Sequence, residues 1–212
     1  MSADLWSERA ETYQGLADQR AGDDLELLVS WAEGETALDV ATGGGHTANR
    51  LREGGFEVVT LDPAPGMGAD VLARAEDIPF ADDSFDVVTC RIAPHHFDDV
   101  GAAVREMARV ARRLVLVEDT LYESEAVEEA ERLRDPTHVR SYSEAEWRAF
   151  FEEAGLAVED VRVLEKVRPL DSWLDRVGCA GEEAERVTEL VAEQIRGGDY
   201  ADRKILIRGR KR

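Results

Sequence analysis

Short apolar runs alternate along this chain with longer stretches in which apolar residues recur at helical spacing. The runs, rich in β-branched residues, predict strands, and the stretches with a period of three to four predict helices. We expect strands at 36–40, 57–61, about 70–74, 85–90, 113–119, 157–166 and 203–209. We expect helices at 5–14, 21–33, 47–54, about 99–112, 124–133, 143–154 and 181–196. Strands that alternate with helices predict an α/β fold whose mostly parallel sheet is covered by helices on both faces.

The organisation predicted from the chain is a single domain over residues 1–212, because no linker rich in Gly, Ser or Pro divides it. The first residues, MSADLWSERAE, lack the apolar core of a signal peptide, and the longest aliphatic run is LVLV. We therefore expect a cytoplasmic protein without a membrane span. The pattern leaves the oligomeric state open.

The charge of the chain is strongly negative, with a formal net charge of −20 from 46 acidic and 26 basic residues. Lysine occurs only at 166, 204 and 211, and arginine provides the other cations. This bias is typical of proteins that stay soluble in brine, so it says little about partners. Cys90 and Cys179 lie far apart without CxxC spacing, so we expect reduced thiols and no metal site.

A glycine-rich loop stands out between a predicted strand and a predicted helix, in ALDVATGGGHTANRL at 37–51. A tight turn explains one or two of its glycines but not three in a row. Gly43, Gly45 and Ala48 satisfy G-x-G-x-x-A, and Asp62 follows Gly43 by 19 residues, so a nicotinamide dinucleotide is one candidate ligand.

Asp39 favours a different ligand. A carboxylate in the strand before the loop does not help a pyrophosphate at a helix N-terminus, but it suits a cation. S-adenosylmethionine carries an ammonium, a sulfonium and no phosphate, and its ribose diol can bind a second acid such as Asp62. Both acids then have a role.

Four ordered segments of the chain resemble one family: LDVATGGGHTA, VVTLDPAPGM, AEDIPFADDSFDVVTCRIAPHHF and REMARVARRLVLVED. The chain resembles a class I S-adenosylmethionine-dependent methyltransferase over residues 37–119, in the subgroup similar to the ubiquinone/menaquinone-biosynthesis methyltransferases. LRDPTHVRSYSEAEW at 133–147 is similar to a segment of small-molecule members. The resemblance implies a Rossmann-like seven-stranded sheet whose last, antiparallel strand, RKILIRG, forms a hairpin with 157–166. It also implies an N-terminal helical lid at 1–33, a cofactor core at 34–119 and substrate-side helices with the final strands at 120–212.

The resemblance implies which residues bind S-adenosylmethionine. The loop under the methionine part and ribose is Asp39, Ala41, Gly43 and Gly45, and Asp62, followed by Pro63, takes the ribose hydroxyls. The adenine-edge segment is Ala75, Glu76 and Asp77, Arg91 and Ile92 border the methionine moiety, and Tyr13 of the lid contacts cofactor or substrate. No metal is implied.

The sequence departs from the family pattern in three places. Ala41 stands where the family has the first glycine of its loop, an exchange common in the subgroup. Arg74 stands where an acid accepts from the adenine amino group, and a guanidinium has only donors. The connection after Asp62 is short, and the KPGG turn before the fifth strand is missing, so two surface connections look trimmed.

The reaction implied is an in-line displacement at a sulfonium methyl group, in which positioning provides most of the catalysis. A base is optional, and His95 and His96 follow the fourth strand at the crevice. We choose His96 to face the methyl group, since alternation across Pro94 turns His95 outward. His138, Arg140 and Tyr142 are candidates to contact substrate or simply to build their loop, and Trp6 is expected to pack.

The sequence thus predicts methyl transfer from S-adenosylmethionine to a small-molecule acceptor through an O, N, C or S atom. Three alternatives stay open: a nicotinamide-dependent oxidoreductase using the same loop, an RNA or protein methyltransferase, and a binding protein with an inactive pocket. No basic or aromatic-rich module suggests a nucleic-acid partner.

Overall fold

The computed structural model describes residues 3–10, 15 and 21–212. Eight α-helices lie in residues 3–10 and 21–212. They are α1 Ala3–Glu8, α2 Asp23–Ser30, α3 His46–Glu53, α4 Val100–Val110, α5 Glu125–Arg134, α6 Glu144–Glu153, α7 Leu170–Asp175 and α8 Gly181–Leu190. Short 3-10 turns occupy Pro65–Met67, Pro94–His96 and Ala192–Gln194.

One sheet contains all the strands of the described residues. They are β1 Thr36–Val40, β2 Glu57–Asp62, β3 Val71–Leu72, β4 Phe85–Arg91, β5 Ala111–Thr120, β6 Leu156–Pro169, β7 Ile195–Arg196 and β8 Asp199–Lys211. The strand order is β3-β2-β1-β4-β5-β8-β6, and β7 pairs with β8. Strands β1 to β5 are parallel, whereas β8 is antiparallel to both β5 and β6. The predicted α/β class and the reversed last strand are confirmed, and β7 adds a short strand to the seven expected.

The sheet is covered on both faces, as its apolar strands predict. Successive residues of a strand point to opposite faces. Accordingly, Ala37 packs in the cluster with Leu28 and Leu51, from α2 and α3. Its neighbour Leu38 packs in the cluster with Met107 of α4 and with α6. Because both faces are buried, the central strands read as continuous apolar runs.

Among residues 21–212, the predicted boundaries are wrong by two residues or more at three helices. The helix expected at 21–33 is α2, which spans only Asp23–Ser30. The helix expected at 181–196 ends at Leu190, because Gly197 and Gly198, at φ +63° and +93°, turn the chain back so that Ile195 pairs with Tyr200. The helix expected to reach 112 ends at Val110, and Ala111 already belongs to β5. The chain therefore lacks the KPGG turn that the family has before the fifth strand, because β5 follows α4 directly.

A third apolar cluster lies at the start of β8, on the side of α5, α7 and α8. Trp173 stacks on Tyr200 with 4.0 Å between ring centroids, and Val127 and Val187 pack in the same cluster. Helix α7 was not predicted, because six residues are too few to show a helical period. No helix among 3–10 and 21–212 has the length and apolar content needed to cross a bilayer.

Candidate active site

The crevice cavity lies beyond the carboxyl ends of β1, β2 and β4 and has a volume of about 130 Å³. In an open parallel sheet this is where ligands bind. It is lined by Trp6, Ala41, Thr42, Gly43, Gly44, His46, Thr47, Asp62, Pro63, Met67, Arg74, Ala75, Glu76, Arg91, Ile92, Ala93, His96 and Phe97. The cavity thus gathers the glycine loop, the end of β2 and the segment after β4.

The glycine loop presents bare backbone to this cavity. Ala41, Gly43 and Gly45 all have positive φ, at 52°, 49° and 75°, and α3 begins directly after Gly45. A Cβ atom added to Gly43 would meet no protein atom closer than 4.0 Å. The space beside Gly43 is therefore open to a ligand. Gly45 serves the turn instead, donating its N–H to the Thr42 carbonyl at 2.8 Å and capping α3 without lining the cavity.

Asp39 lies beneath the loop and does not line the cavity. Its carboxylate accepts hydrogen bonds from the hydroxyls of Thr42, at 2.6 Å, and Thr89, at 2.8 Å. Burial raises the pKa of Asp39, while these hydroxyls act to lower it. Asp39 therefore acts on the cavity through Thr42, which it holds in place.

Asp62 lines the cavity and connects β2 to the glycine loop. One carboxylate oxygen accepts from the Gly43 N–H at 3.0 Å and the other from the Ala64 N–H at 2.9 Å. Each carboxylate oxygen has two lone pairs, so each can accept a second hydrogen bond. Burial raises the pKa of Asp62, and the two backbone donors oppose this shift.

Arg91 forms a fixed positive wall of the cavity. Its side chain is 5% exposed and pairs with Asp24, at 2.7 Å, and with Glu118, at 2.6 Å. Lys166 also contacts Asp24, at 2.6 Å. Burial raises the pKa of Glu118 to about 7 even beside Arg91, whereas Arg91 and Lys166 outweigh burial at Asp24 and hold its pKa well below the usual range.

The adenine-edge segment is only partly at the cavity. Ala75 and Glu76 line it, and Asp77 does not. Arg74, the residue that departs from the family pattern, also lines it and donates to Glu76 at 3.0 Å and to Asp98 at 2.5 Å. Two acids thus pair with the arginine that stands where the family has an acid.

His96 lines the cavity, whereas His95 is buried behind it. The His96 Nδ1 lies 3.0 Å from the Thr137 carbonyl oxygen, which can only accept, so Nδ1 carries the proton and Nε2 is left with a lone pair. Burial lowers the pKa of His96 to about 3, and His95 beside it adds to the effect. His96 is therefore a neutral imidazole with an acceptor nitrogen.

The expectation that His95 turns outward is wrong. Its Nδ1 lies 2.5 Å from Asp119 Oδ1 at the end of β5, and its carbonyl accepts from the N–H groups of Val139 and Arg140. Burial lowers the pKa of His95 to about 3 and raises that of Asp119 to about 7. The turn at Pro94–His96 directs His95 into the protein because it is a 3-10 turn and not a continuation of the strand.

Comparisons with known proteins agree with this geometry. The family described as a methyltransferase domain matches residues 38–115. The uncharacterized methyltransferase YcgJ of Bacillus subtilis is 36% identical over 211 residues, which cover 87% of this chain and 83% of YcgJ. The chain is a class I S-adenosylmethionine-dependent methyltransferase. The resemblance seen in the sequence is confirmed, and the nicotinamide-dependent alternative is set aside.

Two further comparisons concern fold and subgroup. The crystal structure of YcgJ matches this methyltransferase with a TM-score of 0.79 at 32% identity, over 89% of this chain and 97% of that one. A demethylmenaquinone methyltransferase of Mycolicibacterium paratuberculosis is 40% identical over 96 residues, which cover 40% of this chain and 42% of that relative.

The crevice cavity of this methyltransferase has the features that S-adenosylmethionine requires. The open space beside Gly43 admits a ligand against the backbone. The spare lone pairs of Asp62 suit the ribose diol, and its charge suits a cationic ligand. Among residues 3–10 and 21–212, no His, Cys, Asp and Glu side chains are grouped as a metal site.

The three candidates either to contact substrate or to build their loop lie outside the crevice cavity of the methyltransferase. His138 is buried against Glu128 at 3.3 Å, and Arg140 pairs with Glu146 at 2.5 Å. Tyr142 packs at the edge of Phe150, with ring centroids 5.2 Å apart. Their loop instead holds His95 and His96 in place. Tyr13 lies outside the described residues.

Several cavity residues were missed from the sequence. Trp6 of α1 lines the cavity, and its ring meets that of His96 at 4.8 Å, although we expected it only to pack. Met67 and Phe97 add apolar surface. Trp6 and Met67 lie far apart in the sequence, and their segments come together only in the folded protein, where Gly66 donates its N–H to the Ser7 hydroxyl. A position in the residue pattern could not reveal this.

A second, charged cavity of about 40 Å³ adjoins the first. Ile92 and His96 line both cavities and stand between them. The other residues that line the charged cavity are His95, Thr120, Glu131, Arg134, Asp135, Arg168, Trp173, Arg176, Asp202 and Lys204. It lies at the carboxyl end of β5, between this strand, β8 and the helices α5 and α7.

Proposed function

We propose that this methyltransferase transfers the methyl group of S-adenosylmethionine to a small-molecule acceptor by in-line displacement. The observation that supports this most is the crevice cavity itself, which is lined by bare backbone at Gly43, by Asp62 and by the rings of Trp6, His96 and Phe97. When bound, S-adenosylmethionine supplies an electrophilic methyl group on a sulfonium.

The proposed roles follow from position. Asp62 accepts the ribose hydroxyls, Gly43 leaves room for the ligand, and Asp39 acts through Thr42. Glu76, held by Arg74, borders the adenine. Arg91 and Ile92 border the methionine part, and the guanidinium provides a positive charge for its carboxylate.

His96 is the proposed contact for the acceptor. A neutral imidazole with Nδ1 bound to a backbone carbonyl presents Nε2 as an acceptor for the O–H or N–H proton of a nucleophile. Because its pKa is lowered to about 3, His96 is a weak base, and it takes the proton only as methyl transfer makes the nucleophile acidic. For an acceptor that is already ionised, the same side chain only positions it. Trp6 and Phe97 exclude water from one side, which strengthens the electrostatic interactions inside.

A small acceptor is favoured over a macromolecule because Trp6 of α1 and Phe97 restrict the space beside His96. The similarity to a methyltransferase named for demethylmenaquinone also favours a small molecule. RNA or protein substrates are therefore the second choice.

Calorimetry tests the first half of this proposal. S-adenosylmethionine and S-adenosylhomocysteine are expected to bind the full chain with one site each, and NADH is expected not to bind. Transfer of a labelled methyl group to quinols, phenols, amines and thiols then tests the acceptor class. Cofactor binding with transfer only to RNA or protein would contradict the small-molecule proposal.

A further inference from the structure

The charged cavity is built from buried ionic groups that the proposed methyl transfer does not use. Arg168 of β6, Lys204 of β8 and Asp202 of β8 are 8%, 3% and 2% exposed. Burial of such groups is costly unless their charges are matched. The balance of charge among these three side chains therefore indicates the charge of a ligand that the cavity can bind.

Two of the cations share one acid. Asp202 accepts from Arg168 at 2.5 Å and pairs with Lys204 at 2.6 Å. The other acids of the cavity have cations of their own, since Glu131 pairs with Arg134 at 2.8 Å and Asp135 with Arg9 at 3.1 Å. Arg168 and Lys204 together carry two positive charges, and Asp202 neutralises only one of them. The trio of Arg168, Lys204 and Asp202 therefore has a net charge of one positive unit.

Donors remain available in this trio. The buried Nε of Arg168 has no hydrogen-bond partner among residues 3–10 and 21–212. The ammonium of Lys204 has three protons, and two of them are directed to Asp202 and to the Thr120 hydroxyl, the latter at 2.7 Å. A buried donor without an acceptor costs free energy, and an anionic ligand would remove that cost.

Two nearby groups affect this charge balance. Asp119 lies beside the cavity, but it is bonded to His95 and burial raises its pKa to about 7, which reduces its negative charge at neutral pH. Arg134 stacks on Trp173, 4.5 Å from the ring, and closes the cavity on the side of α7. Asp119 therefore does not supply a full negative charge to Arg168.

We propose that the charged cavity binds a carboxylate of the methyl acceptor, with Arg168 and Lys204 as the donors. The volume of about 40 Å³ is large enough for a carboxylate. Because His96 and Ile92 line both cavities, the carboxylate lies on one side of His96 and the methyl donor on the other.

This inference rests on the proposed function and narrows its substrate class. The acceptor is a small hydroxy, amino or thiol acid whose nucleophile lies a few bonds from its carboxylate. The carboxylate anchors the molecule and does not react, so the product keeps a free acid and carries the methyl group on the nucleophile.

Isothermal titration of the full chain, saturated with S-adenosylhomocysteine, tests the anchor. The probes are salicylate, anthranilate and thiosalicylate, each compared with its primary amide, which has the same shape but no charge. We expect at least one acid to bind about tenfold or more tightly than its amide, as loss of a charge-assisted hydrogen bond implies. Arg168→Gln should erase this preference.

The matched control is Arg162→Gln. Arg162 lies on the same strand, its side chain is 55% exposed, and its loss changes the net charge equally. It should keep the preference of the wild type. Should Arg168→Gln fail to fold, as judged by circular dichroism, Arg168→Lys is the second variant. It keeps the charge beside Asp202 but lacks the Nε donor, so it should weaken binding of the acid and leave binding of the amide unchanged.

Failure of the anchor and failure of the proposed function give different results. Equal affinity for every acid and its amide, or equal loss in both arginine variants, would overturn the anchor while cofactor binding stays intact. If S-adenosylmethionine itself did not bind, the proposed function would fail, and the acid and amide titrations of the ligand-free chain would still decide on the anchor. Methyl esters as products would also overturn it.

Discussion

Asp62 joins the glycine loop to β2 and leaves acceptor capacity for a ligand. Asp62→Ala should weaken S-adenosylmethionine binding by about 1.5–3 kcal/mol, the range for a hydrogen bond to a charged group. Calorimetry measures this directly. Asp82→Ala is the control, because that side chain is 72% exposed beside Arg109 and does not line the cavity. Unchanged affinity in Asp62→Ala would remove the ribose assignment.

Gly43 combines a positive φ with open space on the side of the cavity. Gly43→Val should abolish cofactor binding, because the branched side chain occupies the space of the ligand and resists φ of 49°. Gly55→Val separates the two effects, since Gly55 has φ of 92° but does not line the cavity. Gly55→Val should lose stability and keep affinity. Retained binding in Gly43→Val would place the ligand elsewhere.

His96 and His95 differ in what they can do for the reaction. His96→Ala should lower kcat about 100-fold or more if His96 removes a proton, with cofactor affinity nearly intact. His95→Ala should act more weakly, because His95 does not line the crevice cavity in which the methyl group is transferred. Steady-state kinetics with an identified acceptor distinguishes them, and full activity of His96→Ala would eliminate the base.

The pH dependence follows from burial. An ordinary imidazole loses its base form as the pH falls through about 6.5. Since burial lowers the pKa of His96 to about 3, it stays neutral far below that pH. The kcat profile should therefore show no histidine limb near pH 6.5. A limb there that disappears in His96→Ala would mean that the imidazole is solvated during turnover.

Residue patterns predicted part of this site. Residues 41, 43, 62, 63, 75, 76, 91, 92 and 96 were expected from motifs and do line the crevice cavity. Those motifs lie next to strand ends, so position in the sequence fixes position in space. The charged cavity was not predicted, because Arg134, Arg168 and Lys204 come from α5, β6 and β8, which meet only in the folded protein.

Helix α6 begins with a capping box. Ser143 Oγ accepts from the Glu146 N–H at 3.3 Å, and the Glu146 carboxylate accepts from the Ser143 N–H at 2.9 Å. Ser143→Ala should lower the free energy of unfolding by about 1 kcal/mol. Urea unfolding measures this, with Ser30→Ala at the end of α2 as a control that removes no N-cap. Equal effects of the two changes would contradict the cap.

Elements with strong local signals were predicted well, and elements made by tertiary contacts were not. Helix α6 was expected at 143–154 and forms at Glu144–Glu153, because its cap and apolar period agree. Strand β7 was read as helix, because its two residues extend only when the Gly197 and Gly198 turn brings them to β8. Local propensity was overridden by pairing at that point.

The whole molecule carries a net charge of −20. Mutual repulsion of these charges opposes folding, and salt screens it over about 10 Å at 0.1 M and about 3 Å at 1 M. The melting temperature should therefore rise with KCl concentration. Buried pairs such as Arg91 with Asp24 are screened less and should survive. Calorimetry in KCl, with sucrose of equal osmolality as control, checks this, and a falling melting temperature would contradict it.

Strand β8 lies between β5 and β6, and its pairing with β5 joins Leu114 to Arg210. The glycine loop, Asp62 and Arg91 depend on β1, β2 and β4, which pair within residues 36–91. Pairing between distant residues forms slowly, because a long loop must first be closed. During folding, we therefore expect the half of the site proposed for the methyl donor to assemble from nearby strands, before the pairing of β5 with β8 completes the half proposed for the acceptor.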